Sequence, residues 1–299
     1  MNKAEHFKSG FVSVVGRRNV GKSTMINALI GDKIAIVSDK AQTTRNRIIC
    51  VYTDEEKQIV FMDTPGVHKP KHKLGEFMVD AAIESLKETE AVLFVVAGNE
   101  KRGPGDNFII EQLKRVKVPV FLVVNKIDTL QKEQVLEAIV SYQDAYPFAG
   151  VIPISAKNKE NLSELLNVLG EHLPEGPQYF PEDMITDQPE RLIISDIVRE
   201  KILLSTRDEI PHAIAVDVDE MKTRDDGTTY IRATIYCERD SQKGIIIGNK
   251  GALLRKIGAE ARMDIQKLLA TKVYLDLWVK VKKDWRNKSG MLSELGYKK

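Results

Sequence analysis

The sequence contains only two cysteines and no long hydrophobic run. Cys50 and Cys237 are far apart and match no metal-ligand spacing, which indicates a protein of the reducing cytosol. The longest apolar runs, such as residues 91–97, are far too short to span a bilayer. We therefore expect neither a cysteine-based metal site nor a transmembrane helix.

The N-terminal residues also lack the pattern of a signal peptide. Glu5 and His6 lie near the start, and Arg17 and Arg18 interrupt the apolar stretch that follows. A secretory signal needs an unbroken apolar segment of about 7–15 residues after a basic start. We expect no export signal.

The overall composition is that of an ordinary globular protein. Hydrophobic residues make up 42% and charged residues 29% of 299 positions, which suits two domains or one large one. The net charge of +2 divides unevenly, with −3 on residues 1–189 and +5 on residues 190–299. This asymmetry fits nucleotide chemistry in the first part and a polyanionic partner in the second.

The strongest motif is the segment from Gly16 to Ser23, which reads Gly-Arg-Arg-Asn-Val-Gly-Lys-Ser and fits the phosphate-loop pattern at every fixed position. Residues 11–15 before it read as a buried strand, and residues 24–29 after it as a helix that ends at Gly31. Between a strand and a helix, such a loop turns backbone N–H groups toward one anion, and the helix adds its positive dipole end. A plain glycine turn is the alternative, but the lysine and serine favour a phosphate site.

The residue types of this loop suggest individual roles. Lys22 should reach the outer phosphates, and the Ser23 hydroxyl should ligate Mg²⁺. The predicted nucleotide contacts in the loop are Gly16, Arg17, Arg18, Asn19, Val20, Gly21, Lys22, Ser23 and Thr24.

After the loop, predicted strands alternate with predicted helices. The strands cover residues 47–53, 58–62, 91–97, 118–124 and 151–154, and the helices cover residues 73–87, 106–116, 132–146 and 161–173. Short runs rich in valine and isoleucine fit the buried strands of a mostly parallel sheet. The pattern predicts a doubly wound α/β domain that binds its ligand at the carboxyl ends of the strands.

Two further motifs follow predicted strands. The segment Asp63-Thr64-Pro65-Gly66 places a carboxylate that can hold Mg²⁺ through water and a glycine N–H that can contact a γ-phosphate. The segment Asn125-Lys126-Ile127-Asp128 places a carboxylate that accepts two hydrogen bonds from the guanine N1 and N2 edge. Lys126 can lie along the base plane. Because adenine offers no such pair of donors, the motif favours GTP over ATP and disfavours an ATP-dependent small-molecule kinase.

Two more segments complete the predicted nucleotide site. The segment Ser155-Ala156-Lys157 follows the last predicted strand, and its backbone N–H groups can meet the guanine O6. The polar stretch 38–46 contains Gln-Thr-Thr-Arg and occupies the place where a GTPase has a threonine that binds Mg²⁺ and the γ-phosphate. We favour Thr44 for this role, with Thr43 as the alternative.

The chain changes character after residue 173. Four prolines punctuate residues 174–189, which we interpret as a linker. Beyond it, residues 191–205 read as a helix, 213–221 and 230–239 as a hairpin, 252–257 and 259–270 as two helices, 272–281 as a strand and 284–295 as a final helix.

The second part contains Gly248-Asn249-Lys250-Gly251 after an isoleucine-rich stretch that ends at Ile247. This resembles the GXXG loop of a KH domain, in which two glycines bring the backbone close to about four nucleotides of a single strand. We expect the isoleucine-rich groove to hold the bases and Lys250 to contact a phosphate. A helix-joining turn is the alternative. Lys283 and Arg286 are further candidates, from a basic cluster that also contains Lys280, Lys282 and Lys288 and can equally be a solvated helix face.

With these motifs in this order, the sequence resembles the Era family of bacterial GTPases along essentially its whole length. The resemblance implies a Ras-like P-loop NTPase (α/β) G domain in residues 1–173, a linker in residues 174–189 and a C-terminal α+β type II KH domain in residues 190–299. It implies GTP or GDP and Mg²⁺ as ligands. It also implies a monomer that binds the 3′ end of 16S ribosomal RNA, assists 30S subunit maturation, and is cytoplasmic with peripheral association with the inner face of the membrane. Arg18 replaces the usual family proline, with little expected consequence, because this position contributes its backbone.

The residues predicted to act in hydrolysis are Lys22, Thr44, Gly66 and Asn19. Ras-like enzymes have a water-orienting glutamine where this chain has Val67. The Asn19 side chain could instead ligate a potassium ion beside the phosphates, as in related GTPases, or it could only tighten the loop. We expect GTP hydrolysis to gate RNA binding. The alternative is an RNA-binding assembly module that holds GTP with negligible turnover.

Overall fold

The computed structural model describes residues 6–32, 34–35, 44–66, 72–206 and 210–297. The chain divides into two compact units: the first contains most of the described residues up to Asp187, and the second contains those from Gln188 onward together with His72–Leu74. Each has its own hydrophobic core.

A six-stranded sheet forms the centre of the first unit. Its strands are β1 Lys8–Val15, β2 Ile48–Thr53, β3 Lys57–Asp63, β4 Ala91–Ala97, β5 Val120–Asn125 and β6 Gly150–Pro153. The strand order is β2-β3-β1-β4-β5-β6, and all neighbours are parallel except the β2–β3 hairpin. All seven residues of β4 are buried, as expected for a central strand covered on both faces.

Helices cover both faces of this sheet. They are α1 Lys22–Ile30, α2 Lys73–Glu84, α3 Pro104–Leu113, α4 Lys132–Gln143 and α5 Leu162–His172. Leu93 and Val95 of β4 belong to the same core cluster as residues of α1 and α5, whereas Phe94 and Val96 pack with residues of α3. The alternation of side chains along each strand thus produces two cores, one on each face. The predicted mixed α/β fold is confirmed.

The segment after α5 runs against the first unit as far as residue 187. Gln58 donates from Nε2 to the Phe180 carbonyl and accepts from the backbone N–H groups of Tyr179 and Phe180. Farther on, the Val51 N–H donates to the Ile185 carbonyl (2.9 Å). These bonds attach part of the proline-rich stretch, which we expected to be a linker, to the first unit.

The second unit packs helices against one face of a three-stranded sheet. Its elements are α6 Glu190–Ser205, α7 Ile210–Ala213, β7 Ala215–Thr223, β8 Thr229–Cys237, α8 Asp240–Ile247, α9 Ala252–Leu269, β9 Val273–Val281 and α10 Ser289–Glu294. In the order β7-β8-β9, β7 is antiparallel and β9 parallel to β8. Alternate residues of β8, such as Ile231 and Ile235, are buried against α6 and α9, whereas Tyr230 and Arg232 lie on the opposite face.

Two element predictions in this unit are wrong. Helix α9 continues through Gly258, which we expected to separate two helices. Ile257, Ala261 and Ile265 recur every four residues and are fully buried, and this burial outweighs the roughly 1 kcal/mol that an interior glycine costs. The expected final helix over residues 284–295 is also interrupted: a 3₁₀ turn, Trp285–Asn287, is separated from α10 by the extended Lys288.

Candidate functional site

The four motifs of the first unit meet at one edge of its sheet. Gly16 follows β1, Asp63 ends β3, Asn125 ends β5, and Ser155 lies just beyond β6. Because these strands are parallel, their carboxyl ends lie on the same side. The topology therefore brings together segments that are more than 100 residues apart in the sequence.

Two glycines of the phosphate loop are required by their surroundings. A Cβ on Gly16 would lie 2.3 Å from the Val95 carbonyl oxygen, and a Cβ on Gly21 would lie 2.2 Å from Asn125 Nδ2. Gly21 also has φ +96°, a conformation that other residues rarely adopt. The loop is thus wedged between β4 and β5 and leaves no room for side chains at these positions.

Lys22 is held over the loop that contains it. Its Nζ donates to the carbonyl oxygens of Gly16 (3.2 Å) and Arg17 (3.1 Å), and the side chain is buried. Burial lowers the pKa of Lys22 to about 8, although the nearby Asp63 carboxylate acts in the opposite direction. A buried ammonium group whose described hydrogen-bond partners are two carbonyl oxygens is well suited to an incoming phosphate.

Three oxygen-bearing side chains converge beside Lys22. The Ser23 hydroxyl lies 2.9 Å from the Thr44 hydroxyl and donates to Asp63 Oδ2 at 2.8 Å, and Thr44 Oγ1 lies 3.2 Å from the same oxygen. Asp63 is fully buried, and its Oδ1 has no hydrogen-bond partner among the described residues. Burial raises the pKa of Asp63, and Lys22 partly offsets this effect. Two hydroxyls and a partly unsatisfied buried carboxylate fit a hard cation such as Mg²⁺. Thr43, the alternative to Thr44, lies outside the described residues.

The residues after Asp63 are tied to the phosphate loop. The Thr64 hydroxyl donates to the Val14 carbonyl at 2.7 Å. A Cβ on Gly66 would lie 2.7 Å from the Arg18 Cα and 2.8 Å from the Arg18 nitrogen. Gly66 therefore lies against the backbone of the phosphate loop. Val67 lies outside the described residues.

Asn125 has a structural role that the motif alone did not indicate. Its Nδ2 donates to the Val20 carbonyl (2.9 Å), and its Oδ1 accepts from the N–H groups of Lys126 (2.8 Å) and Ala156 (3.0 Å). The side chain is 2% exposed. It thus joins the phosphate loop, its own motif and the segment after β6. The sequence signal for this role was the position of Asn125, a polar residue at the end of an otherwise apolar strand.

The predicted base-recognition carboxylate is already oriented. The Ser155 hydroxyl donates to Asp128 Oδ1 at 2.7 Å and accepts from the Asn158 N–H at 3.1 Å. Asp128 itself is exposed, so its carboxylate is open to a ligand. Lys126 has φ +69° and precedes a 3₁₀ turn, while Lys157 is exposed.

The side chain of Arg17 points to the start of α3. Its Nε donates to Asp106 Oδ1 (2.8 Å) and its Nη2 to Glu100 Oε2 (2.9 Å). Asp106 is fully buried, and Glu100 also lies 3.8 Å from the Nζ of Lys126. Sequence reasoning missed both carboxylates, because nothing in their local pattern marks them. Arg17 can therefore contact a phosphate only through its backbone in this arrangement. Asn19 is exposed, with φ +64°.

The GXXG segment of the second unit forms a tight turn between α8 and α9. Gly248, Lys250 and Gly251 all have positive φ, and Asn249 and Lys250 are exposed. Arg255, one turn into α9, donates to the carbonyl oxygens of Lys250 (2.9 Å) and Gly251 (3.3 Å). The loop is thus fixed with its two polar side chains free to face a ligand.

A groove of about 540 Å³ begins at this loop and runs between α9 and β9. It is lined by Lys250, Gly251, Leu254, Arg255, Gly258, Ala259, Arg262, Tyr274, Leu275 and Leu277. The expectation of an isoleucine-rich groove is wrong for this lining: Ile246 is fully buried and Ile247 half-buried, because both pack into the core.

The basic cluster near the C-terminus is only partly free. Arg286 forms two hydrogen bonds to the Glu238 carboxylate, one of them 3.1 Å from Nε to Oε1, and both side chains are largely buried. Lys283 is exposed. The charge of Arg286 is thus largely neutralised, and Lys283 is the better candidate for a phosphate contact.

Comparison with known proteins gives the family of this chain. The family model described as 50S ribosome-binding GTPase matches residues 11–126, and that of the KH domain matches residues 209–286. A crystal structure of Era in complex with MgGDPNP and nucleotides 1506–1542 of 16S ribosomal RNA is 42% identical, with 98% of this chain and 99% of that chain covered and a TM-score of 0.95. The chain belongs to the Era family of GTPases. An Era point variant from Aquifex aeolicus bound to GDP·AlF4⁻ is also 42% identical, covers 97% and 99% of the two chains and has a TM-score of 0.94.

Membership of the Era family confirms the predicted order of a Ras-like GTPase domain and a KH domain. In the described part of the chain, every helix is too short or too polar to cross a membrane.

Proposed function

We propose that this Era-family protein is a GTP-hydrolysing switch that binds the 3′ end of 16S ribosomal RNA and assists 30S subunit maturation. The observation that carries the proposal is the convergence of Ser23, Thr44 and Asp63 oxygens beside the buried Lys22. Such a cluster has little use in a domain that binds only RNA. The solved relatives carry MgGDPNP with 16S RNA, or GDP·AlF4⁻.

The phosphate loop holds the nucleotide through its backbone and through Lys22. The backbone N–H groups of residues 16–24 would bind the phosphates, and Lys22 would exchange its carbonyl partners for the outer phosphates. Asp128, held by Ser155, receives the guanine N1 and N2 donors, and the Ala156 segment faces the guanine O6.

The hydroxyls of Ser23 and Thr44 and the Asp63 carboxylate would hold Mg²⁺. The ion supplies positive charge beside the β- and γ-phosphates. Gly66, which lies against the phosphate loop, donates its N–H to the γ-phosphate and so distinguishes GTP from GDP. Lys22 stabilises the charge that develops on the phosphate oxygens during hydrolysis.

The same proposal assigns a potassium-binding role to Asn19. The residue after Gly66 is Val67, whose side chain can neither donate nor accept a hydrogen bond. The exposed Asn19 lies in the loop three residues before Lys22, where its side-chain oxygen would hold K⁺ next to the phosphates. The ion would supply the positive charge that other GTPases obtain from an arginine.

The KH groove is the proposed RNA site. Gly248 to Gly251 would face the RNA backbone, with Lys250 on a phosphate and the apolar groove on the bases, and Ile247 and Lys283 would lie at its margin. We assign residues 1–173 to GTP, 174–189 to the linker and 190–299 to RNA. A monomeric state and a cytoplasmic location with peripheral membrane association are part of the same proposal, by analogy with the family.

The test is a measurement of GTP and XTP turnover, in which a variant of Asp128 controls for recognition of the base. Asp128→Asn should weaken GTP by about 2–5 kcal/mol, because a charge-assisted pair is lost, and it should favour XTP. We expect the wild type to hydrolyse GTP and the variant to hydrolyse XTP, which assigns the activity to this chain rather than to a contaminant. If the wild type and the variant both bind their nucleotide but do not hydrolyse it, the non-hydrolysing assembly module would be favoured.

A further inference from the structure

The proposed RNA groove ends at an aromatic residue outside the GXXG loop. Tyr274 lies near the start of β9, which is an edge strand of the three-stranded sheet. It lines the same groove as Lys250 and Arg255, and it is 52% exposed. An exposed tyrosine at the edge of a groove offers a flat apolar surface to whatever occupies that groove.

In the part of the chain that the structure describes, the neighbours of the Tyr274 ring are Tyr230 and Arg224. Tyr230 is its direct neighbour on β8, and the two rings are stacked with centroids 5.9 Å apart and planes at 16°. The Arg224 guanidinium lies 4.9 Å from the Tyr230 ring centre and 4.8 Å from that of Tyr274. Because Tyr230 is on the β8 side, the other side of the Tyr274 ring faces the sheet edge, where the groove lies. The ring is therefore held from the β8 side, and the exposed Tyr274 side chain borders the groove.

The charges around the ring favour a polyanion with flat apolar groups. Lys250, Arg255 and Arg262 contribute three cations to the groove, and no acidic side chain is among its described lining residues. The nearest carboxylate on the strand, Asp276, accepts hydrogen bonds from the Tyr230 hydroxyl (3.3 Å) and from Trp278 Nε1 (2.9 Å). Cations beside an exposed ring are the combination with which proteins bind single-stranded nucleic acid.

We propose that Tyr274 stacks against one base of the single-stranded RNA in the KH groove. This inference rests on the proposed function, since it requires RNA to occupy that groove. It assigns a base contact to a side chain outside the loop and the helices that the GXXG motif marks. Tyr230 and Arg224 are positioning residues, because they hold the ring upright and do not touch the base.

The experiment is titration of an RNA containing nucleotides 1506–1542 of 16S ribosomal RNA with the full-length protein. Stacking of one base contributes an amount that corresponds to about 5- to 150-fold in affinity, so Tyr274→Thr should weaken binding by that factor. Tyr274→Phe keeps the ring and should bind within about twofold of the wild type. The salt dependence should stay the same in both, because no phosphate contact is lost.

Trp278 provides a matched control. It lies on the same strand and face, is 55% exposed, and is absent from the described groove lining. Trp278→Thr should therefore bind RNA like the wild type. An equal loss in Trp278→Thr would overturn the proposal, because it would indicate a general effect of the sheet face.

Two further results separate this inference from the RNA function itself. If Tyr274→Thr binds normally while Asn249→Asp with Lys250→Asp abolishes binding, the stacking is refuted and the RNA groove stands. If the wild type does not bind this RNA, both fail. A wild-type crosslink experiment avoids any effect of folding: RNA with 5-iodouridine should give an adduct on Tyr274, and adducts confined to other residues would contradict the proposal.

Discussion

Replacement of Asn125 by alanine is the most informative perturbation of the nucleotide site. The change removes three hydrogen bonds at once, to the Val20 carbonyl and from the N–H groups of Lys126 and Ala156. All three involve a side chain that is 2% exposed, so water replaces them poorly. Each buried polar group without a partner costs about 1–3 kcal/mol. We expect the first unit to lose about 3–9 kcal/mol of stability, which lowers its Tm by at least about 6 °C, at about 2–4 °C per kcal/mol for a unit of this size.

The assay is thermal and urea denaturation followed by far-UV circular dichroism. Both tryptophans, Trp278 and Trp285, lie in the second unit, so tryptophan fluorescence gives an internal reference for that unit. Asn107→Ala is the matched control, because Asn107 makes its hydrogen bond with Arg102 on an exposed helix surface. Loss of this exposed hydrogen bond should change the free energy of unfolding by no more than about 0.5 kcal/mol.

The Asn125→Ala variant should also bind GTP more weakly, because the phosphate loop and the base-recognition segment lose their common support. An unshifted dichroism transition, within the error of the Asn107→Ala control, would refute this account of Asn125. Normal stability with weakened GTP binding would instead indicate a direct contact with the nucleotide.

Three further predictions concern other parts of the chain. Asn249→Asp with Lys250→Asp should sharply reduce RNA affinity in filter binding and leave basal GTP hydrolysis near normal. Intact RNA affinity would exclude the GXXG segment as the RNA-binding site. GTP hydrolysis should be faster in potassium than in sodium at equal ionic strength, and Asn19→Ala should remove the difference while it keeps nucleotide affinity; equal wild-type rates would exclude the potassium role. Burial raises the pKa of both thiols, Cys50 and Cys237, so neither should react with a thiol reagent at pH 8 until the protein unfolds. The free energy of unfolding should fall as the pH rises above about 9, because only the thiols of the unfolded chain ionise there. Rapid modification of the native protein would contradict this prediction.

Local patterns predicted the strands of the first unit and the position of the phosphate loop between β1 and α1, because nearby residues determine both. The sequence placed Asp63, Asn125 and Ser155 after strands, and the parallel sheet brings them to one edge. The breaks in the second unit were harder to predict. In the sequence, Gly258 resembles the glycines of the Gly248–Gly251 segment as a possible end of a helix. Helix α9 nevertheless continues through Gly258, because Ile257, Ala261 and Ile265 are buried against the sheet.

Long-range contacts account for what the sequence could not reveal. The link from Arg17 to Glu100 and Asp106 spans more than 80 residues, and no local pattern marks its acidic partners. The groove differs from expectation for a similar reason: Ile246 and Ile247 pack into the core, while leucines and arginines of α9 line the groove with β9. Which side of a helix becomes core depends on the sheet that packs against it.

The central claim, that GTP hydrolysis gates RNA binding, is tested most directly by GTP turnover with and without RNA. One preparation of full-length protein is measured alone and with saturating RNA containing nucleotides 1506–1542 of 16S ribosomal RNA, beside the Asn249→Asp, Lys250→Asp variant. We predict that the RNA changes the wild-type rate and leaves the variant rate at its basal value. A wild-type rate that is the same with and without bound RNA would contradict the claim and indicate two activities that do not communicate.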